Sequence, residues 1–190
     1  MTDPAGRNAR AAGAILGSAV GDALGAPYEF GPAGALSARF PIGGGGAELV
    51  AGGGWERGEA TDDTQMAVLV AESLLERGEL DLPDIFDRFR RWAAAEPKDI
   101  GIQTESVLTG GQPWDLAAGI HFNTTLRAAV DLGGDTDTVA AVTGGLAGAR
   151  YGLAAVPARW TEPLHVPLPG SGGRVLRAPD LLRLAERLAA

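Results

Sequence analysis

The stretch AAGAILGSAVGDALGA, residues 11–26, admits three readings, and the choice among them decides the fold. Arg7 and Arg10 precede it, as basic residues precede the apolar part of a secretory leader. Asp3 stands before it, glycine recurs through it and Asp22 interrupts it, which argues against a leader. It is too short and too broken for a membrane span. What remains is a soluble helix over about residues 10–24, and a cytoplasmic chain with no membrane association is expected. Gly13, Gly17, Gly21 and Gly25 recur at every fourth position and share one helix face. Glycine weakens a helix, so the stripe needs a reason, and close approach of a second helix supplies one.

The rest of the chain extends this reading. With 190 residues and 45% hydrophobic content, residues 1–190 suit a single domain with a sizeable core. Residues 31–60, with GGGG at 43–46 and GGGW at 52–55, read as loop. A helix is expected over 63–77, with Met66, Leu69, Val70, Ser73 and Leu74 on one face and Gly78 as its stop. A second is expected over 83–95, with Ile85, Phe86, Phe89 and Trp92 as its apolar stripe. Residues 101–122 are weakly patterned, 124–131 and 139–151 read as helices, and a proline-rich irregular stretch precedes a final amphipathic helix over 179–188. Gly144, Gly148 and Gly152 repeat the four-residue spacing, which suits packing against the first glycine face. No period-two strand pattern stands out, so the expected fold is all-α.

Two clusters carry the chemistry. EATDDTQMAVLVAESLL, residues 59–75, and LGGDTDTVAAVTGGLAG, residues 132–148, each set paired aspartates and threonines at the head of an apolar segment. Either is readable as a helix cap, since Thr and Asp are favoured caps and acids suit the first turn. A cap needs one acceptor, however, not two aspartates with their mutual repulsion. Four aspartates brought together call for a cation, and hard divalent ions take carboxylate and hydroxyl oxygen. The chain has Cys 0, and only His121 and His165 as imidazoles, so a metal here is held mostly by oxygen, which points to Mg²⁺, Mn²⁺ or Ca²⁺ rather than zinc. Two such clusters suit two ions that orient a substrate or activate water.

Other chemistries are disfavoured. A net charge of −8 repels phosphate backbones, so nucleic acid is not an expected partner. The glycine stripe lacks the lysine of a phosphate-binding P-loop, DTDT lacks the continuation of an EF-hand, and no serine nucleophile elbow occurs. Asp22 reads equally as a helix-terminal or buried hydrogen-bonding acid and as a site residue, and Glu29 as a loop acid or a site residue.

GAILGSAVGDALGAPYEF (13–30), TDDTQMAVLVAESL (61–74) and VDLGGDTDTVAAVTGGLAGARYG (130–152) resemble, in this order, the three signature segments of the ADP-ribosylglycohydrolase family, the group similar to dinitrogenase reductase-activating glycohydrolase. The resemblance implies a compact orthogonal helical bundle, here reduced in size, with two divalent cations, Mg²⁺ or Mn²⁺. It implies hydrolysis of the glycosidic bond in ADP-ribosylated side chains or related ADP-ribose conjugates. Carried over by position, it implies metal ligands Thr61, Asp62, Asp63, Asp135, Asp137 and Thr138. It implies catalytic roles for Glu29, Asp62 and Asp137, and substrate contacts for Asp99, Gly134 and Asp135.

The chain departs from the family in one place. GGQPWDLAAGIHF (110–122) runs almost directly into NTTLRAAVDLGGDTDT (123–138), where family members carry a long helical stretch with an NG-x-x-MR segment. That stretch contributes core helices and contacts to the distal part of ADP-ribose. The retained ligand positions favour an active hydrolase. The shortening favours the alternative, a module that binds metal and ADP-ribose without turnover. A purely structural role needs no clustered carboxylates. The expected partner is an ADP-ribosylated protein or a small ADP-ribose conjugate, and the glycine faces are compatible with a homo-oligomer.

Overall fold

The computed structural model describes residues 4–41, 47–113 and 158–189, together with Thr138, Ala141, Gly145, Leu153 and Val156. The first helix, α1, spans Pro4–Gly25 and starts six residues before its expected beginning. Pro4 explains the early start, because proline is preorganised for the first helical position and its missing N–H is not needed there. From Ala12 onward α1 is buried on most of its circumference, the four stripe glycines included. A helix apolar nearly all round belongs at the centre of a domain. It packs mainly against the C-terminal helix and also against the helix that starts at Asp62.

A 3₁₀ turn, Ala26–Tyr28, follows directly, and a short α2, Ala35–Arg39, lies inside the stretch expected to be loop. Helix α3 spans Asp62–Arg77, capped by Thr61 at one end and by Gly78, at φ 73°, at the other. Its expected single apolar face is corrected to two. Val68 and Ala71 face the main core around Leu16, Ala19 and Val20. Leu69, with Met66, faces a second cluster around Trp92 and Leu108. Helix α4, Leu82–Ala93, is capped by Asp81, whose carboxylate accepts from Asp84 N at 2.9 Å. It keeps its expected stripe, with Ile85 and Trp92 buried and Phe86 and Phe89 against the second cluster. Helix α5, Ile102–Thr109, was not expected; among its described side chains only Leu108 is buried, so no stripe shows.

The α3–α4 corner is closed by charge. Asp84 accepts from Ser73 Oγ, Arg77 and the Arg88 Nε, each at 2.6 Å. These donors, led by Arg77, hold the Asp84 carboxyl well below the usual carboxylate range. A depressed pKa means that the unfolded chain binds the extra proton, so this corner stabilises the fold above about pH 4 and stops doing so as pH falls further. Asp84→Asn is expected to flatten the fall of the urea midpoint between pH 5 and about pH 2; an equally steep fall in the variant would remove Asp84 from the acid response.

The mainly helical fold expected from the sequence holds, and the proline-rich tail adds one small hairpin to it. After a short α6, Ala158–Thr161, strands β1, His165–Pro167, and β2, Val175–Arg177, pair antiparallel with Val166 opposite Leu176. Leu164, Val166 and Leu168 point inward at 0%, 0% and 2% exposure, while His165 and Pro167 are only partly buried. The period of two is therefore present, masked by three interleaved prolines. The final helix, α7, spans Ala178–Ala189 and buries Leu181, Leu184 and Ala185. The fold is thus mainly helical with one small hairpin. No described helix is long and apolar enough to cross a membrane.

The hairpin also reaches the chain that leads into α3. His165 N donates to Gly58 O at 2.7 Å and Ala60 N donates to His165 O at 2.8 Å. Gly58 makes this possible: its φ is +79°, and a Cβ there would lie 2.4 Å from Pro163 O. Gly58→Ala combines left-handed strain of about 1 kcal/mol with a collision against backbone of about 1–3 kcal/mol. A loss of about 2–4 kcal/mol is expected in urea unfolding, and an unchanged midpoint would show that the 163–165 backbone yields freely.

Candidate active site

Thr61 and Asp62 end the segment hooked by β1 and open α3. The Thr61 hydroxyl accepts from Asp63 N at 3.4 Å, which is ordinary capping geometry. The capping reading is therefore right for Thr61. It leaves both aspartates unexplained.

The turn is pinned from below by Asp22, on α1. Asp22 is fully buried. Thr61 N donates to both of its carboxylate oxygens at 3.1 Å, Thr64 N donates to Oδ2 at 3.2 Å, and the Thr64 hydroxyl donates to the same oxygen. One carboxylate thus serves the free N–H groups at the start of α3, where the helix dipole favours negative charge. Burial nevertheless pushes its pKa up to about 7, against the opposing pull of the Thr64 and Thr61 hydrogen bonds. Asp22 is a positioning residue for the turn, a role the site assignment from sequence missed. The one available signal was an acid interrupting an otherwise apolar, glycine-striped helix.

Asp62 and Asp63 project from the first turn, half-buried. Burial, then the charge of Asp63, then that of Asp99, push the Asp62 carboxyl up to about 6. Asp99 is thereby set within electrostatic reach of Asp62, although it lies in the loop between α4 and α5, where Ile100 N donates to its Oδ1 at 2.8 Å.

Thr138, the last residue of the second cluster, reaches the same place. The Thr138 hydroxyl donates to Asp63 Oδ2 at 2.9 Å, so residues 63 and 138 meet across the fold. Thr138, Ala141 and Gly145 are all helical, and Ala141 is buried. At Gly145 a Cβ would sit 3.6 Å from Ser18 Cβ and 3.8 Å from Ala14 O, both on α1. Gly145 thus lies at ordinary van der Waals distance from the Ala14–Ser18 face of α1. Gly144, Gly148 and Gly152, like Gly134, Asp135 and Asp137, lie outside the described residues.

Glu29 ends the 3₁₀ turn after α1, half-buried, with its N–H donating to Ala26 O at 3.4 Å. Phe30 beside it takes a φ of 55° and is exposed. The structure thus joins Asp22, Thr61, Asp62, Asp63, Asp99 and Thr138 in one region. Its oxygen donors are of the kind hard cations take. Among the described residues no three acidic or imidazole side chains converge on one ion position.

Comparison with known proteins gives the fold and site a family. The ADP-ribosylglycohydrolase family model matches residues 3–119 and 107–190. The ADP-ribosyl-[dinitrogen reductase] glycohydrolase of Rhodospirillum rubrum is 42% identical over 104 residues, which cover 53% of this chain and 34% of that protein. The ADP-ribosylarginine hydrolase Tri1 of Serratia proteamaculans is 40% identical over 83 residues, 44% of this chain and 21% of that protein. The chain thus spans about a third or less of the length of these relatives. A solved structure titled as an ADP-ribosylglycohydrolase-related protein complex superposes with a TM-score of 0.60 at 26% identity, covering 97% of this chain and 98% of that one. With its helical fold, its Asp63–Thr138 junction and a family match running nearly end to end, the chain belongs to the ADP-ribosylglycohydrolase family.

Proposed function

We propose that this chain is a hydrolase of ADP-ribosylated substrates, dependent on two divalent cations, Mg²⁺ or Mn²⁺. The observation that carries the reading is the hydrogen bond from Thr138 to Asp63, which joins one residue of the DTDT segment to the first cluster. The donor chemistry fits hard cations: Asp62, Asp63 and the threonine hydroxyls offer oxygen alone. The upward push on Asp62 by its acidic neighbours is a crowding that a cation would offset. In this reading Thr61, Asp62, Asp63 and Thr138, with Asp135 and Asp137, hold the ions. Bound cations would supply positive charge to orient the ribose hydroxyls and to acidify a water.

The chain's own residues do the rest. Asp22 holds the Thr61–Thr64 turn in register. Asp99 accepts a hydrogen bond from a ribose hydroxyl. Glu29, at the exit of α1, moves a proton as the glycosidic bond opens. The named activities of the Rhodospirillum and Serratia relatives support an ADP-ribosylated protein as the substrate class. The test has two steps. Calorimetry with Mg²⁺ and Mn²⁺ is expected to give saturable binding, and ADP-ribosyl-arginine or ADP-ribosyl-serine is expected to release ADP-ribose only with metal present. Absence of any cation binding sinks the reading.

A second reading rests on a different observation. The family model matches as two stretches that overlap at 107–119, close to GGQPWDLAAGIHF (110–122), where the family resemblance implies a longer segment. A chain shortened there would bind metal and ADP-ribose without turnover, and saturable cation binding with no ADP-ribose release is its signature.

A further inference from the structure

Lys98 precedes Asp99 in the loop between α4 and α5. Its ammonium donates to Glu59 Oε2 at 2.7 Å and lies 4.8 Å from the centre of the Trp55 ring. Glu59 and Trp55 are both buried, and Glu59 Oε2 also accepts from Glu56 N at 2.7 Å. Glu59 is fixed from its other side as well, since the residues flanking it, Gly58 and Ala60, both pair with His165. It stands two residues before Thr61, so the Glu59 carboxylate is tied to the turn that carries Asp62 and Asp63.

We propose that Lys98 is a positioning residue: seated on Trp55 and paired with Glu59, it clamps the loop that carries Asp99 against the turn that carries Asp62 and Asp63. The inference rests on the hydrolase reading for what Asp99 does, and on the contacts of Lys98 alone for the clamp. The physical argument turns on magnitude. A half-exposed ion pair adds little to the stability of a whole domain, and a cation over a ring adds a comparable small amount. A loop, however, opens locally at far lower cost than the domain unfolds, so the same small energies govern its position. Glu96, at φ 51°, turns the chain just before this loop, which contains no helix or strand of its own from Ala94 to Gly101. Without Lys98, Asp99 keeps its local hydrogen bond to Ile100 N but loses the tether across to the α3 side.

The test compares the wild type with Lys98→Met, which keeps the apolar stem on Trp55 but not the charge, and with Lys98→Arg, which restores a cation. Amide hydrogen exchange is followed in residues 96–101 and, separately, in α3. Lys98→Met is expected to speed exchange about tenfold in the loop and to leave α3 unchanged, with Lys98→Arg close to the wild type. For ADP-ribosyl-arginine, Lys98→Met is expected to raise KM about tenfold with kcat within about threefold, because the loss is in holding substrate. Glu59→Gln gives the same pattern from the other partner. Unchanged loop exchange in Lys98→Met overturns the clamp whatever the turnover. Faster exchange with an unchanged KM overturns its role at the site. A wild type that binds metal but releases no ADP-ribose overturns the hydrolase reading instead, and loop exchange then decides the clamp alone.

Discussion

Asp63→Ala is expected to cut metal-dependent release of ADP-ribose by about a thousandfold, near 4 kcal/mol of transition-state stabilisation, while the chain stays folded. Two functions leave with this one carboxylate. It is an oxygen donor in the proposed cation site, and it is the acceptor that receives Thr138 from the far cluster. Stability moves much less. An acid in the first turn of a helix contributes about 0.3–1 kcal/mol through the helix dipole. Repulsion between Asp63 and its neighbour Asp62 offsets part of that. The urea midpoint is therefore expected to stay close to that of the wild type, and calorimetry to register weakened Mn²⁺ binding. Turnover within about tenfold of the wild type would remove Asp63 from the chemistry.

Asp22→Ala is expected to do the reverse, costing the fold first and activity with it. The substitution strips the acceptor from two backbone N–H groups, those of Thr61 and Thr64, and from the Thr64 hydroxyl. All of these sit where no water reaches, because Asp22 is buried to 0% exposure. Each orphaned donor costs about 1–3 kcal/mol, and a total of about 3–5 kcal/mol is expected. With a urea slope of about 1–3 kcal/mol per molar, the midpoint should fall by more than about 1 M. Asp22→Asn retains one carbonyl oxygen but turns an NH₂ group toward donors, so it should lie between the two. If Asp22→Ala unfolds at the wild-type midpoint, the Thr61–Thr64 turn is not anchored by α1.

The parts of this molecule legible in its sequence are those written in local code. Helices α3, α4 and α7 announce themselves through caps, stops and apolar spacing, and the TDDT and DTDT clusters stand out because a helix start has no use for so many acids. The illegible parts are of two kinds. The β1–β2 hairpin alternates as a strand should, but Pro163, Pro167 and Pro169 imitate a loop, and only its burial under Leu164, Val166 and Leu168 reveals the pattern. Asp22, Glu59 and Lys98 draw their meaning from partners distant in sequence, so no window of residues shows it. The two faces of α3 were hidden for the same reason: a single stripe is what a surface helix carries, and α3 lies between two clusters. The Asp135 and Asp137 assignments remain readings of sequence, joined to the structure through Thr138.

The pairing of residues 58–60 with His165 sets an order on the birth of this protein. During synthesis α1 and α3 leave the ribosome early, with Asp22, Asp62 and Asp63 already in sequence. The strand that secures the turn between them arrives only with residues 165–167. Contacts so far apart along the chain are slow to close, and they wait for residues 165–167 to emerge. A nascent chain stalled before residue 165 would thus carry most of the first acidic cluster with one of its backbone supports missing. Maturation of the proposed cation site is then a late event, timed by the hairpin and not by the helix that bears Asp62 and Asp63.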